Sequence, residues 1–194
     1  MYVYINKQTK RRDVTMKKIK KIFGMAAMIT MLASNIVYAQ NPVLDEIAIS
    51  DYQSESVLLP SNVLESQNAG YAERRGVILS TAMLTITNQQ DGTLYVTVNT
   101  VAHRNVDKIY QTVFLDEWNE EDEDWVKVGY WEFERSKEEE EDGNLSSYHV
   151  GFTVQNATLN KYYRARAIHL VELGDDLEGK STQTNGVLLT DHEV

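Results

Sequence analysis

The chain has 194 residues, no cysteine, two prolines, and 19 basic against 29 acidic side chains, a formal net charge of −10. That length suits one domain, or one domain with a tail. The missing thiol excludes a disulfide framework, thiolate zinc or iron–sulfur sites, cysteine nucleophiles and lipoprotein acylation. The acidic balance argues against a nucleic-acid partner, whose phosphates need a basic face.

The first forty residues read as an address. Lys17, Lys18, Lys20 and Lys21 form a positive cluster, an uncharged and mostly apolar run follows over 22–38, and Val37-Tyr38-Ala39 sets small residues at −3 and −1. These are the parts of a secretory signal occupying residues 1–39, with cleavage between Ala39 and Gln40, so a secreted product is expected. Met16 directly precedes the lysines and is an alternative start. The 22–38 run includes Thr30, Ser34 and Asn35 and falls short of the roughly 20 apolar residues of a membrane span. A protein tethered by that run is the rival reading. Residues 1–39 hold eight of the 19 basic residues and one of the 29 acids, which leaves 11 against 28, or −17, on the remaining 155. Such a charge favours solubility and opposes adsorption to anionic membranes, so no membrane partner is expected for the mature form.

Residues 40–75 show polar stretches, such as Gln53-Ser54-Glu55-Ser56, and no sustained period, which predicts a flexible leader with at most one docked piece. From residue 76 to 194 the texture is that of short strands between turn signals. They are expected near 77–87, 93–102, 107–117, 125–134, 147–155, 162–171 and 181–190, a seven-stranded antiparallel sandwich of immunoglobulin/fibronectin III type. Asp91-Gly92 marks a hairpin between the first two. Period-2 alternation places Leu94, Val96 and Val98 on one face of the second strand. The third strand is apolar on both sides, with Ile109, Val113 and Leu115 opposite Tyr110 and Phe114, as suits a central position. In the fourth, the apolar set changes phase from Val126, Val128 and Tyr130 to Trp131 and Phe133. A β-bulge near Gly129 would produce that slip. In the fifth, Tyr148, Val150, Phe152 and Val154 face inward; in the sixth, Tyr163, Ala165 and Ala167 do so, with Arg164 and Arg166 outside.

The segment Tyr162-Tyr163-Arg164-Ala165-Arg166-Ala167, following Leu159, resembles the sixth strand of a fibronectin type III or immunoglobulin-like sandwich, with Tyr163 as the structural tyrosine corner. The chain also resembles a family of small secreted Gram-positive bacterial proteins of unknown function. The resemblance rests on Arg75-Gly76-Val77, Val106-Asp107-Lys108-Ile109, the run from Tyr162 to His169, Glu178 with Ser181-Thr182, and Thr184-Asn185-Gly186-Val187. It implies a signal peptide and a sandwich, and brings no activity with it.

Three groups of residues are candidates for chemistry. The acidic runs Glu120-Glu121-Asp122-Glu123-Asp124 and Glu138-Glu139-Glu140-Glu141-Asp142 are candidate weak calcium loops, although they lack the alternation and glycine of an EF-hand. The alternative is two solvated, self-repelling loops, and no metal or other cofactor is assigned. Trp118, Tyr130 and Trp131 are candidate ligand contacts, because exposed aromatic rings near carboxylates stack on sugars; packing between the sheets is the alternative use. Arg164 and Arg166 could grip an anion or pair with carboxylates on neighbouring strands. The four histidines lack H-x-H or HExxH spacing, and no GxSxG, SxxK, GxxxxGK[ST] or GxGxxG occurs, so no catalytic residue is assigned. The expectation is a secreted, non-catalytic sandwich that binds a protein or a glycan. A small carboxylate-dependent hydrolase is the enzymatic rival.

Overall fold

The computed structural model describes residues 2–4, 55–71 and 78–194. The cleavage site at Ala39–Gln40, the alternative start at Met16, the 22–38 run, most of the leader and the Arg75-Gly76-Val77 opening lie outside those residues.

Among the described residues there are ten strands. They are β1 (Tyr2–Tyr4), β2 (Glu65–Tyr71), β3 (Leu79–Asn88), β4 (Leu94–Ala102), β5 (Lys108–Asn119), β6 (Asp124–Ser136), β7 (Ser147–Gln155), β8 (Tyr162–Leu173), β9 (Asp176–Gln183) and β10 (Val187–Leu188). One sheet runs β1-β7-β4-β3-β2; the other runs β10-β8-β5-β6, with β9 also on β8. The two pack face to face as an all-β sandwich. Every pairing between strands is antiparallel except that of β1, which lies parallel to β7.

Two details correct the seven-strand expectation. The closing strand expected over 181–190 is divided: β9 pairs with residues 166–173 of β8, and β10 then takes Tyr162 and Tyr163. Within the stretch read as a leader, Glu65–Tyr71 forms a full strand on β3, and Leu58 bridges Gly186. This is the docked piece, and it starts the sandwich before residue 76.

Alternation sets the core. Leu84 and Ile86 of β3, Leu94, Val96 and Val98 of β4, Val113 and Leu115 of β5, Phe152 and Val154 of β7, and Tyr163, Ala165 and Ala167 of β8 are all buried together. A second apolar cluster of Ile78, Leu79, Ala102, Val106, Ile109, Leu145 and Val171 fills one end. Between the two clusters, at the alternation positions where another apolar residue would be expected, lie Thr100, Gln111 and His169, all buried. Gln111 Nε2 donates to Thr100 Oγ1 and to the Tyr148 carbonyl (both 2.9 Å), and His169 bonds Thr100 through Nδ1 (2.8 Å) and Thr182 through Nε2 (2.9 Å). The layer therefore ties β4 in one sheet to β5, β8 and β9 in the other. Burial drives the imidazole pKa down to about 3, which keeps the ring neutral.

The phase change in β6 is a bulge. Leu115 pairs with Gly129 but Asp116 pairs with Lys127, so Val128 is the extra residue. The slip lets Val128, Trp131 and Phe133 all reach the core side, where the Trp131 and Phe133 rings lie 4.9 and 5.4 Å from that of Phe152. The Asp91-Gly92 hairpin is present, with Gly92 in the left-handed region at φ 83° and the Thr93 amide donating to Asp91 Oδ1.

Candidate functional site

Strand alternation brings one set of polar and aromatic side chains to the outer face of the β6-β5-β8 sheet, opposite the core. Asp116 of β5 pairs in register with Lys127 of β6 and Arg164 of β8, and Phe114 with Tyr130 and Arg166. The resulting stack is continuous. Trp118 meets Trp125 edge-on with centroids 5.2 Å apart, and the Arg164 guanidinium lies 4.6 Å from the Trp125 ring. Arg164 Nε donates to Asp116 Oδ2 at 2.9 Å, and Arg166 forks onto the same carboxylate through Nε (2.7 Å) and Nη2 (2.9 Å). Arg166 and Lys127 lie 5.2 and 5.6 Å from the Phe114 centroid, and Phe114 stacks with Tyr130 at 6.5 Å.

The stack grades from buried to exposed. Asp116 is 1% exposed and Arg164 4%, whereas Tyr130 is 60% exposed at the far end. Burial pulls the Arg164 pKa below its ordinary value, opposed by its Asp116 contact. Trp125 is itself held from behind, since a Cβ at Gly186 would come within 2.7 Å of its ring. Two arginines thus hold one buried carboxylate, with Lys127 over the neighbouring Phe114 ring, and the aromatic rings flank the cations as cation–π contacts favour. Beside the stack, an indentation lined by Phe114, Arg166, Ile168, Ser181 and Gln183 encloses about 10 Å³, room for one water. The face is shallow, and contact with a ligand would be made by stacking on it.

The sequence candidates separate on this frame. Trp118 and Tyr130 share the outer face, but Trp131 does not. It points into the sandwich against Phe152, because regular alternation after the bulge sets Tyr130 on the outer face and the next residue, Trp131, on the inner one. Arg164 is not on an exposed face as expected; it is buried and, with Arg166, pairs with a carboxylate on the neighbouring strand. Tyr163, the corner candidate, is buried, and its hydroxyl accepts from the Thr158 amide (2.8 Å) and lies 3.1 Å from the Thr158 carbonyl and 2.6 Å from Glu117 Oε2. Burial, and then that carboxylate, push its pKa up.

The acidic runs are engaged locally. Glu120 pairs with Lys161 at 3.1 Å, Glu140 with Arg135 at 2.8 Å, Glu139 accepts from the Ser136 amide, and Asp142 accepts from the Asn144 amide. Among the described residues, no three His, Asp or Glu side chains are grouped to hold a metal ion. Nor is any described helix long and apolar enough to cross a membrane.

Two motif acids have structural tasks that spacing alone did not reveal. Asp107 accepts from the Gly174 amide (2.6 Å) and from Lys137 (2.5 Å), which hold its pKa below the usual carboxylate range. Glu178 Oε2 accepts from the amides of Ile78 (2.9 Å) and Leu79 (2.8 Å), fastening the start of β3 to β9 across the sandwich. The sequence matches a family of unknown function, DUF6147, over residues 59–187, which takes in the span from before β2 to the start of β10. The chain belongs to this family. Its matched region contains the whole stack, the buried polar layer and both motif acids. No curated protein matches the chain.

Proposed function

We propose that this DUF6147 chain is an exported, non-enzymatic binding module of the kind found in Gram-positive bacteria, with a fibronectin type III-like order of strands. The order supports the last point: β3, β4 and β7 in one sheet face β6, β5, β8 and β9 in the other. Export rests on the basic cluster, apolar run and small-residue site of residues 17–39. The observation that carries the binding reading is the outer-face stack. It places three cations and four aromatic rings together on a chain otherwise dominated by acids, with Tyr130 left open to solvent. A core does not need such an assembly on its far side. A shallow aromatic and cationic face suits stacking on sugars or on an extended protein segment. Asp116 holds both arginines and so braces the face.

The test compares the chain with its Tyr130→Ala/Trp118→Ala variant on a glycan array and against cell-wall and culture-supernatant fractions. Retention by the parent chain and its loss in the variant supports the reading. Equal retention of the two, or none by either, overturns it. The N-terminus of the protein collected outside the producing cells, read by mass spectrometry, checks export: Gln40 is expected, and a product still carrying residues 22–38 favours the tether.

A further inference from the structure

The outermost long strands differ in how they treat their open edges. β6 carries Asp124, Lys127, Glu132, Glu134 and Arg135 and a bulge, all devices that discourage pairing with another chain. β2 is backed by the closing segment: the Asn185 amide donates to Ser66 Oγ at 2.9 Å, and Gly70 lies against the Lys180 side chain. β7 has neither protection. Its nine residues, Ser-Tyr-His-Val-Gly-Phe-Thr-Val-Gln, include no Asp, Glu, Lys, Arg or Pro. One side of it pairs with β4 from Ser147 to Val154. Among the described residues the other side takes β1 alone, at Thr153, Val154 and Gln155. Among the described residues, nothing pairs with that side from Ser147 to Phe152.

We propose that the open edge of β7 is a self-association surface, on which two copies pair β7 to β7 in antiparallel fashion about a two-fold axis, and that β1 competes for it. The seat of Tyr2–Tyr4 shows that the edge accepts an added strand. The second copy is favoured as occupant by charge. With −17 on residues 40–194, most surfaces of two copies repel, and the uncharged β7 is a place where they can meet. A two-fold pairing is self-complementary and closes at a dimer. Centred on Val150, it sets Ser147 of one copy opposite Thr153 of the other, on the outer face, and joins the two β7-containing sheets into one. This competition rests on the export reading: loss of residues 1–39 removes β1, which among the described residues is all that pairs with that side. The inference is independent of what the stack on the opposite sheet binds.

The experiment is sedimentation of the full chain over a range of concentrations, with hydrogen exchange read at residues 147–152. Val3→Pro, which weakens β1, is expected to lower the concentration for dimerisation by about tenfold or more, because the competing strand no longer holds the edge. Protection at 147–152 should rise with dimer. Adding Ser147→Lys and Thr153→Lys sets like charges opposite one another and is expected to return the monomer. Ser147→Lys with Thr153→Glu sets opposite charges there and is expected to restore the dimer, which also shows that these positions tolerate charge. A monomer at every concentration in the Val3→Pro chain overturns the proposal. So does a dimer indifferent to the Lys/Lys pair, or one that leaves 147–152 unprotected.

Discussion

Lowering the pH should destabilise this sandwich through one residue, His169. The ring is fully buried, bonded to Thr100 and Thr182, and its pKa is held at about 3 by burial against an ordinary value of about 6.5. The folded state therefore binds no proton on His169 until about pH 3, while the unfolded chain takes one up as pH falls through 6.5. Stability is full above the unfolded value and falls by about 1.4 kcal/mol per pH unit between the two. From pH 7 to pH 4.5 the loss from this residue is about 3 kcal/mol, a large part of the 5–15 kcal/mol typical of a domain. Urea unfolding at constant ionic strength, followed by tryptophan fluorescence, gives the free energy at each pH, and His169→Gln supplies the comparison. The two proteins carry the same carboxylates, so the difference between the two curves isolates the imidazole. The parent curve should drop about 3 kcal/mol further than the variant between pH 7 and 4.5. Parallel curves over that interval would refute both the neutral buried ring and the reasoning built on it.

Two other substitutions test the packing of the sheet. Asp116→Asn leaves Arg164 buried without its counter-charge and should cost about 3–5 kcal/mol in urea unfolding; adding Arg164→Met should recover part of it. An Asp116→Asn protein of unchanged stability would show that Arg164 reaches solvent readily. Tyr163→Phe removes the corner hydroxyl from the Thr158 amide and should cost about 1–3 kcal/mol in thermal unfolding, with opening of the 156–161 turn visible by hydrogen exchange.

The parts of the fold written as alternation were legible from sequence. Leu94-Val96-Val98 and Tyr163-Ala165-Ala167 lie on the core side as their spacing implies, and the phase change between Tyr130 and Trp131 pointed to a bulge near Gly129, one residue from the observed Val128. What escaped notice has physical causes. β2 reads Glu-Ser-Gln-Asn-Ala-Gly-Tyr, a polar edge strand whose order comes from seven pairings with β3 and not from any apolar face of its own. The outer stack was visible in fragments, as Trp118, Tyr130 and the two arginines. The residue that unites it, Asp116, is one acid among 29 and gains meaning only when β5 and β8 are in register. Trp131 was ambiguous because its side depends on which residue of β6 is looped out. His169 and Gln111 occupy inward positions that alternation predicts to be apolar, and their partners, Thr100 and Thr182, come from other strands.

That polar layer also bears on how the strands find their alignment. Apolar side chains tolerate displacement of one strand along another by two residues, because period-2 alternation returns the same face to the core. In this sandwich such a slide would carry His169 away from Thr100 and Thr182 and Gln111 away from Thr100, leaving both buried among aliphatic side chains. Each unpaired buried group costs about 1–3 kcal/mol. Four side chains drawn from β4, β5, β8 and β9 thus act as an index mark, and a two-residue misalignment that the hydrophobic pattern would permit is rejected by its hydrogen bonds.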